Sequence, residues 1–295
     1  MTNEVETYTD YSSSGTHIED GSANKRLTVC FSFLDVPKKP INGVSGPGVR
    51  LAAIIYYDKY LGNAGNKEVL LPIVADGARE IQELLEKDFK YQILSEDPNP
   101  RVHQDLNEKL MQNESHLLRT FEMRLSKWKE KVEMGTIVDS FLIYYHGHGT
   151  EVLKNPCLLT SKWTAIPIDE LVNLVTKVVN PTHYCLVLDC CSNYKADAKA
   201  MERLTKATIK RAKDFADRVV TVSAAPSGHT ATAVKGKTLS SALVTVLKQS
   251  LDQEGRGVPL QELQQRLRQE QKNKESENLP MVQLPQTLSG RFFPF

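Results

Sequence analysis

The chain has 295 residues, 40% of them hydrophobic, and its 37 Lys and Arg against 36 Asp and Glu leave a net charge of +1. Charge this balanced gives no electrostatic argument for a nucleic-acid or membrane-surface partner, and no apolar run approaches the roughly 18 residues of a membrane span. The length suits one large α/β domain or two small ones with a sizeable core, and the N-terminus lacks the basic-then-apolar pattern of a secretory signal.

Residues 1–24 hold five acids (Glu4, Glu6, Asp10, Glu19, Asp20), many Ser and Thr, and no Lys or Arg. That composition reads as a disordered acidic leader over 1–25, followed by one folded domain over 26–295. LTVCFSFLDV (27–36) is β-branched and aromatic and runs into a Pro/Gly-rich loop, so it reads as a buried strand. RLAAIIYYDKYL (50–61) fits strand or helix, because its apolar run is too continuous for periodicity to choose. GAREIQELLEKDF (77–89) spaces Ile81, Leu84 and Leu85 as a helix does. YQIL (91–94) is a short strand, and 103–133 carry helical spacing in a charged frame. IVDSFLIYYHG (137–147) and THYCLVLDCC (182–191) are apolar nearly throughout, as strands covered on both faces of a parallel sheet are. Residues 195–218 then hold eight basic side chains against four acidic ones, with Met201, Leu204, Thr208 and Phe215 spaced for an amphipathic surface helix. DRVVTVSAA (217–225) is a further strand. Helices follow over 238–252 and 258–270, the second entered through Pro259.

Strand and helix alternate, so the class is α/β, a mostly parallel sheet with helices on both faces. Ligands of such sheets bind beyond the carboxyl ends of the strands. Two of those ends carry reactive groups: HGHG (146–149) and DCC (189–191). Glycines around His148 let the backbone approach a ligand and leave an amide free to donate. A cysteine 43 residues further on meets His148 only through the fold, in the arrangement a thiol nucleophile needs: an imidazole beside it and amides for the developing oxyanion. The five cysteines (Cys30, Cys157, Cys185, Cys190, Cys191) are odd in number and suit reduced thiols of a cytosolic protein better than a disulfide framework.

IYYHGHGTE followed by LVLDCCSNY resembles the histidine and cysteine motifs of the caspase-like cysteine peptidases, in particular metacaspases and their bacterial relatives. There one hydrophobic strand ends in Gly-His-Gly and a second in Asp-x-Cys. LPIVADGAREIQELLEKDFKYQIL (71–94) resembles the family's early acidic turn, helix and second strand. VVTVSAAPSGHTATAVKGKTLSSALVTVLKQSL (219–251) resembles the strand, loop and helix after the cysteine, and LPQTLSG (284–290) the family's closing segment. The resemblance spans about 26–292 and is specific at the two motifs.

By position, the resemblance makes His148 the catalytic histidine and Cys191 the nucleophile, with the amides of Gly149 and Cys191 holding the oxyanion. Cys190 falls on the variable position of the motif and is assigned to packing; His146 has no family role and reads as a satisfied or solvated histidine. Asp189 stands where metacaspases carry Asp and where aspartate-cutting caspases carry Gln among arginines. A buried carboxylate wants a cationic partner, which a substrate Arg or Lys supplies; the bland alternative is a strand-end Asp capping a loop. Asp76, in the ADGA turn, resembles the acid that shares this pocket, and Ser223 takes a third substrate-binding position.

The resemblance implies a cytosolic cysteine endopeptidase that cuts proteins and peptides after Arg or Lys, activated by processing or by a regulatory protein partner. It implies no required cofactor, no nucleic acid and no membrane; calcium activation stays open, because no run of acids forms a recognisable site. Residues 195–216 fall where the family carries a processing linker. Residues 192–194 read SNY instead of His-Ser-Gly, a departure that favours the rival reading of a catalytically impaired interaction module. A zinc site from His146, His148, Cys190 and Cys191 has the right atoms, but adjacent cysteines rarely share one tetrahedral ion and no CxxC spacing exists. A phosphatase loop needs an arginine six residues past its cysteine, where Ala196 and Asp197 stand.

Overall fold

The apolar runs that read as doubly covered strands lie at the centre of one six-stranded sheet. The structure, a computed structural model, describes residues 48–61, 69–94, 114–132, 135–152, 155–191, 218–226, 229, 231, 234–274, 280–285, 288 and 291–294. The leader, the strand expected over 27–36, the residues SNY and the basic segment to 217 lie outside the described residues.

In chain order the elements are β1 (Val49–Tyr56), β2 (Lys59–Tyr60), β3 (Val69–Leu70), α1 (Pro72–Lys87), β4 (Gln92–Ile93), α2 (Glu114–Lys131) and β5 (Val138–His146). Then come β6 (Gly149–Val152), β7 (Asn155–Leu159), β8 (Ala165–Pro167), α3 (Ile168–Val178), β9 (His183–Asp189) and β10 (Val219–Ser223). The chain continues with α4 (Leu239–Glu254), β11 (Val258–Pro259), α5 (Leu260–Asn273), β12 (Met281–Gln283) and β13 (Phe292–Phe293). The main sheet runs β12-β10-β9-β5-β1-β4. Every pairing in it is parallel except β10 with β12.

Side chains alternate across a strand, and β5 shows what covers each face. Phe141 meets Phe121 of α2 edge-on, with centroids 6.2 Å apart. Tyr144, three residues on, points the other way and hydrogen-bonds Ser240 of α4 at 2.7 Å. Helices therefore cover both faces, and the central strands β5 and β9 between them are buried almost throughout.

The ambiguous run at 50–61 becomes β1 and β2. Pairing to β4 on one side and β5 on the other satisfies the backbone of β1 within the sheet and leaves its continuous apolar sequence buried on both faces. α1 starts at Pro72, five residues before the expected position, because proline at a first helical position gives up no intrahelical bond. Asp76 consequently sits in a helix and not in a turn. Pro259 precedes α5 as its N-cap and pairs with Phe292. α3 and the hairpins β6-β7-β8 were not expected from the pattern: their strands span three to five residues, too short for alternation to register.

Candidate active site

β5 and β9 lie side by side, parallel, with His146 opposite Asp189. Both strands therefore end at one edge, and the next residues, Gly147 to Gly149 and Cys190 to Cys191, share the space beyond it. The turn needs its glycines. A Cβ on Gly147 would meet the hydroxyls of Tyr60 and Tyr145, and one on Gly149 would lie 2.5 Å from both Cys190 Sγ and the Cys191 carbonyl oxygen. Gly149 is thus pressed against the cysteine segment, with Cys190 seated on it.

His148 is 4% exposed. Its backbone N–H donates to Tyr60 Oη at 2.6 Å, and its carbonyl accepts from Tyr145 Oη. The ring clusters with Tyr60, centroids 4.5 Å apart, and stacks on Trp163 at 5.2 Å and 26°. Burial pushes its pKa down to about 3. Cys191 is 1% exposed. Its Sγ accepts from the Ala231 backbone N–H at 3.2 Å, and burial raises the thiol to about 11. Burial also raises Cys190. The resting arrangement is thus a neutral thiol beneath Ala231 and a neutral imidazole among aromatic rings.

Asp189 lies on the opposite side of the strand end. Its Oδ2 accepts from the Ser240 backbone N–H at 2.8 Å and from Ser240 Oγ, and stands 3.6 Å from His146 Nε2. Tyr144 Oη joins His146 Nδ1 at 3.1 Å and Ser240 at 2.7 Å. All four side chains are buried. Ser240 is the second residue of α4, so the carboxylate also occupies a helix N-terminus, where negative charge is favoured. Burial lowers the His146 pKa, opposed by the Asp189 charge; the ring is a satisfied member of this network.

Asp76 is elsewhere: half exposed on α1, 3.5 Å from Arg79. Ser223 is the last residue of β10, half-buried and paired in register with Leu188 and Met281. The two strand ends gather His148, Gly149, Cys190 and Cys191 at one edge, with the Asp189 network alongside, and leave Asp76 at the surface. Tyr60, Trp163, Ala231 and Ser240 had no signal in the sequence, because each reaches the site from a separate element. Two histidines one residue apart join two different clusters, and among the described residues no three His, Cys, Asp or Glu side chains are grouped for a metal.

A family model described as the caspase domain matches residues 50–293. Among solved structures, the initiator caspase Dronc of Drosophila is similar at 12% identity and a TM-score of 0.46, over 90% of this chain and 99% of that one. Caspase-1 of Spodoptera frugiperda is similar at 9% identity and a TM-score of 0.46, over 84% of this chain and 96% of that one. A protein from Geobacter sulfurreducens is similar at 13% identity and a TM-score of 0.38, over 62% of this chain and 78% of that one. No curated protein matches the chain.

Proposed function

We propose, from the premise that this chain belongs to the caspase domain family of cysteine peptidases, that it is an endopeptidase with Cys191 as nucleophile and His148 as base, cutting after Arg or Lys. One observation carries the reading: β5 and β9 pair in register to their last residues, so His148 and Cys191 leave the sheet at the same edge. Two neutral groups form a usable pair once they meet, because the imidazole then takes the thiol proton as the sulfur attacks. The thiolate adds to the scissile carbonyl and the oxyanion takes hydrogen bonds from the Gly149 and Cys191 amides. His148 returns the proton to the departing amine, and water then hydrolyses the thioester. The Ala231 N–H that now bonds Sγ would yield as the peptide enters, a change that a processing event or a regulatory protein would favour.

The preference for Arg or Lys is supported by Asp189. It is a buried carboxylate, and among the described residues the one basic group beside it is His146, which burial disfavours in its charged form. A substrate guanidinium or ammonium would supply the missing countercharge. Asp76 would join such a pocket only on leaving Arg79.

The test is a fluorogenic peptide panel on the purified chain, with and without calcium and alongside Cys191→Ala. Turnover of Arg and Lys peptides, none of Asp peptides and none by the variant is expected. Cleavage after Asp would sink the specificity; a chain inert to every peptide would leave the interaction-module reading.

A further inference from the structure

Trp163 stands in the turn between β7 and β8 with φ of +63°, a left-handed conformation that a bulky side chain adopts only against steric resistance. Such backbone persists where its surroundings over-determine it, and it collects at functional sites. Here the surroundings are specific. The Trp163 N–H donates to the Thr160 carbonyl at 2.8 Å, and the Thr160 N–H donates to the Thr164 carbonyl at 3.0 Å. The Thr164 N–H reaches Thr160 Oγ1 at 3.2 Å. The indole Nε1–H donates to the Leu61 carbonyl at 2.8 Å, and the Leu61 N–H donates back to Ser161 at 2.8 Å.

With backbone and Nε1 both anchored, the indole plane has one orientation, and that orientation lies on His148 at 26°. Tyr60 completes a three-ring cluster, its centroid 4.5 Å from His148 and 4.8 Å from Trp163. The torsion that turns an imidazole about its own axis has a broad, shallow preference, so a base that has to present one nitrogen to a thiol needs something else to set its plane. A stacked face does this while both ring nitrogens stay at the edge. The indole face also attracts cations, so it favours the imidazolium formed when His148 takes the Cys191 proton.

We infer that Trp163 is a positioning residue of the peptidase reaction, setting the plane of the His148 imidazole through its indole face. The inference rests on His148 being the base. Its test compares Trp163→Leu, which keeps apolar bulk without a ring face, with Trp163→Phe, which keeps a face, in the full chain with an Arg peptide. The His148 Cε1–H resonance is followed alongside, since a proton near an aromatic face is shifted by its ring current. In the unaltered chain that resonance is displaced from the free-histidine position. Trp163→Leu is expected to lose the displacement and to lower kcat roughly 10- to 100-fold with KM within about twofold, while Trp163→Phe retains most of both. Unchanged kcat in Trp163→Leu, equal losses in the two variants, or an undisplaced resonance in the unaltered chain overturns the role. Should Trp163→Leu not fold, a folded Trp163→Phe that loses turnover overturns it equally. No turnover by the unaltered chain defeats the peptidase reading and this role with it, whereas turnover indifferent to Trp163 defeats this role alone.

Discussion

Burial sets the protonation of both groups of the proposed dyad, holding the Cys191 thiol up at about 11 and the His148 imidazole down at about 3. At neutral pH the two groups are therefore uncharged, and a thiol held in that form is a poor nucleophile. Iodoacetamide is expected to label Cys191 slowly at pH 7 and faster only as pH climbs towards 11; rapid labelling at neutral pH would show a preformed thiolate. Cys191→Ala is expected to abolish turnover and, because its buried Sγ accepts from the Ala231 N–H, to lower the unfolding midpoint as well. Cys190→Ala should keep most turnover and lose about 1 kcal/mol of stability, since its side chain packs on Gly149; a reversal of the two activities would exchange their roles. Gly149→Ala puts a Cβ 2.5 Å from the Cys191 carbonyl oxygen, a backbone atom with nowhere to go. It should cost about 10²-fold in kcat through a displaced oxyanion donor, and wild-type kinetics in that variant would exclude the amide from the reaction. The placement of His148 and Cys191 just past two strand ends was legible because each sits in a short local motif. Trp163 and Tyr60 were not, because stacking on His148 depends on turns that bring separate strands together.

At the scale of elements, Asp189 joins the end of β9 to the start of α4. Ser240 donates to it through both backbone and side chain, and Tyr144 ties the same serine to β5. Ser240→Ala deletes the hydroxyl from a fully buried network, at an expected loss of about 1–3 kcal/mol in urea unfolding, with the preference for Arg peptides kept. Asp189→Asn should lower stability as well, but it should also cripple cleavage after Arg. Unchanged Arg cleavage in Asp189→Asn would leave the residue a purely structural cap. The strand-end capping Asp and the substrate-binding Asp, posed as alternatives from the sequence, are thus separable by two variants. The apolar strands β5 and β9 and the α1 periodicity could be read from pattern alone, whereas the equally apolar β1 fitted strand or helix until its pairing was seen. The start of α1, α3 and the β6-β7-β8 hairpins could not, since short strands and helix ends are decided by what packs on them.

Across the whole molecule the buried histidines tie stability to pH. His148 has a folded-state pKa depressed to about 3, and burial also lowers His146 and His183. Between the ordinary histidine value near 6.5 and the folded value, the unfolded chain binds protons that the folded chain refuses. Stability is therefore full above about pH 6.5 and falls as pH drops towards 3, at up to about 1.4 kcal/mol per pH unit for each such histidine. The raised thiol of Cys191 acts at the other end: the unfolded chain releases that proton first, so stability falls as pH rises from about 9 to 11. Urea midpoints at pH 7, 6, 5 and 4 should decline, with a shallower decline in His148→Gln, and parallel slopes in the two proteins would contradict the burial of that ring. Taken alone, the sequence determined the α/β class, the two strand ends that carry histidine and cysteine and the residue types at them, because continuous apolar strands and a Gly-flanked histidine are local properties. Only the tertiary structure decided that β5 and β9 are neighbours in register, that Ala231 covers the thiol and that Asp189 bonds α4. Those facts depend on which distant backbone groups the sheet and its helices place against each side chain, and no local pattern encodes that.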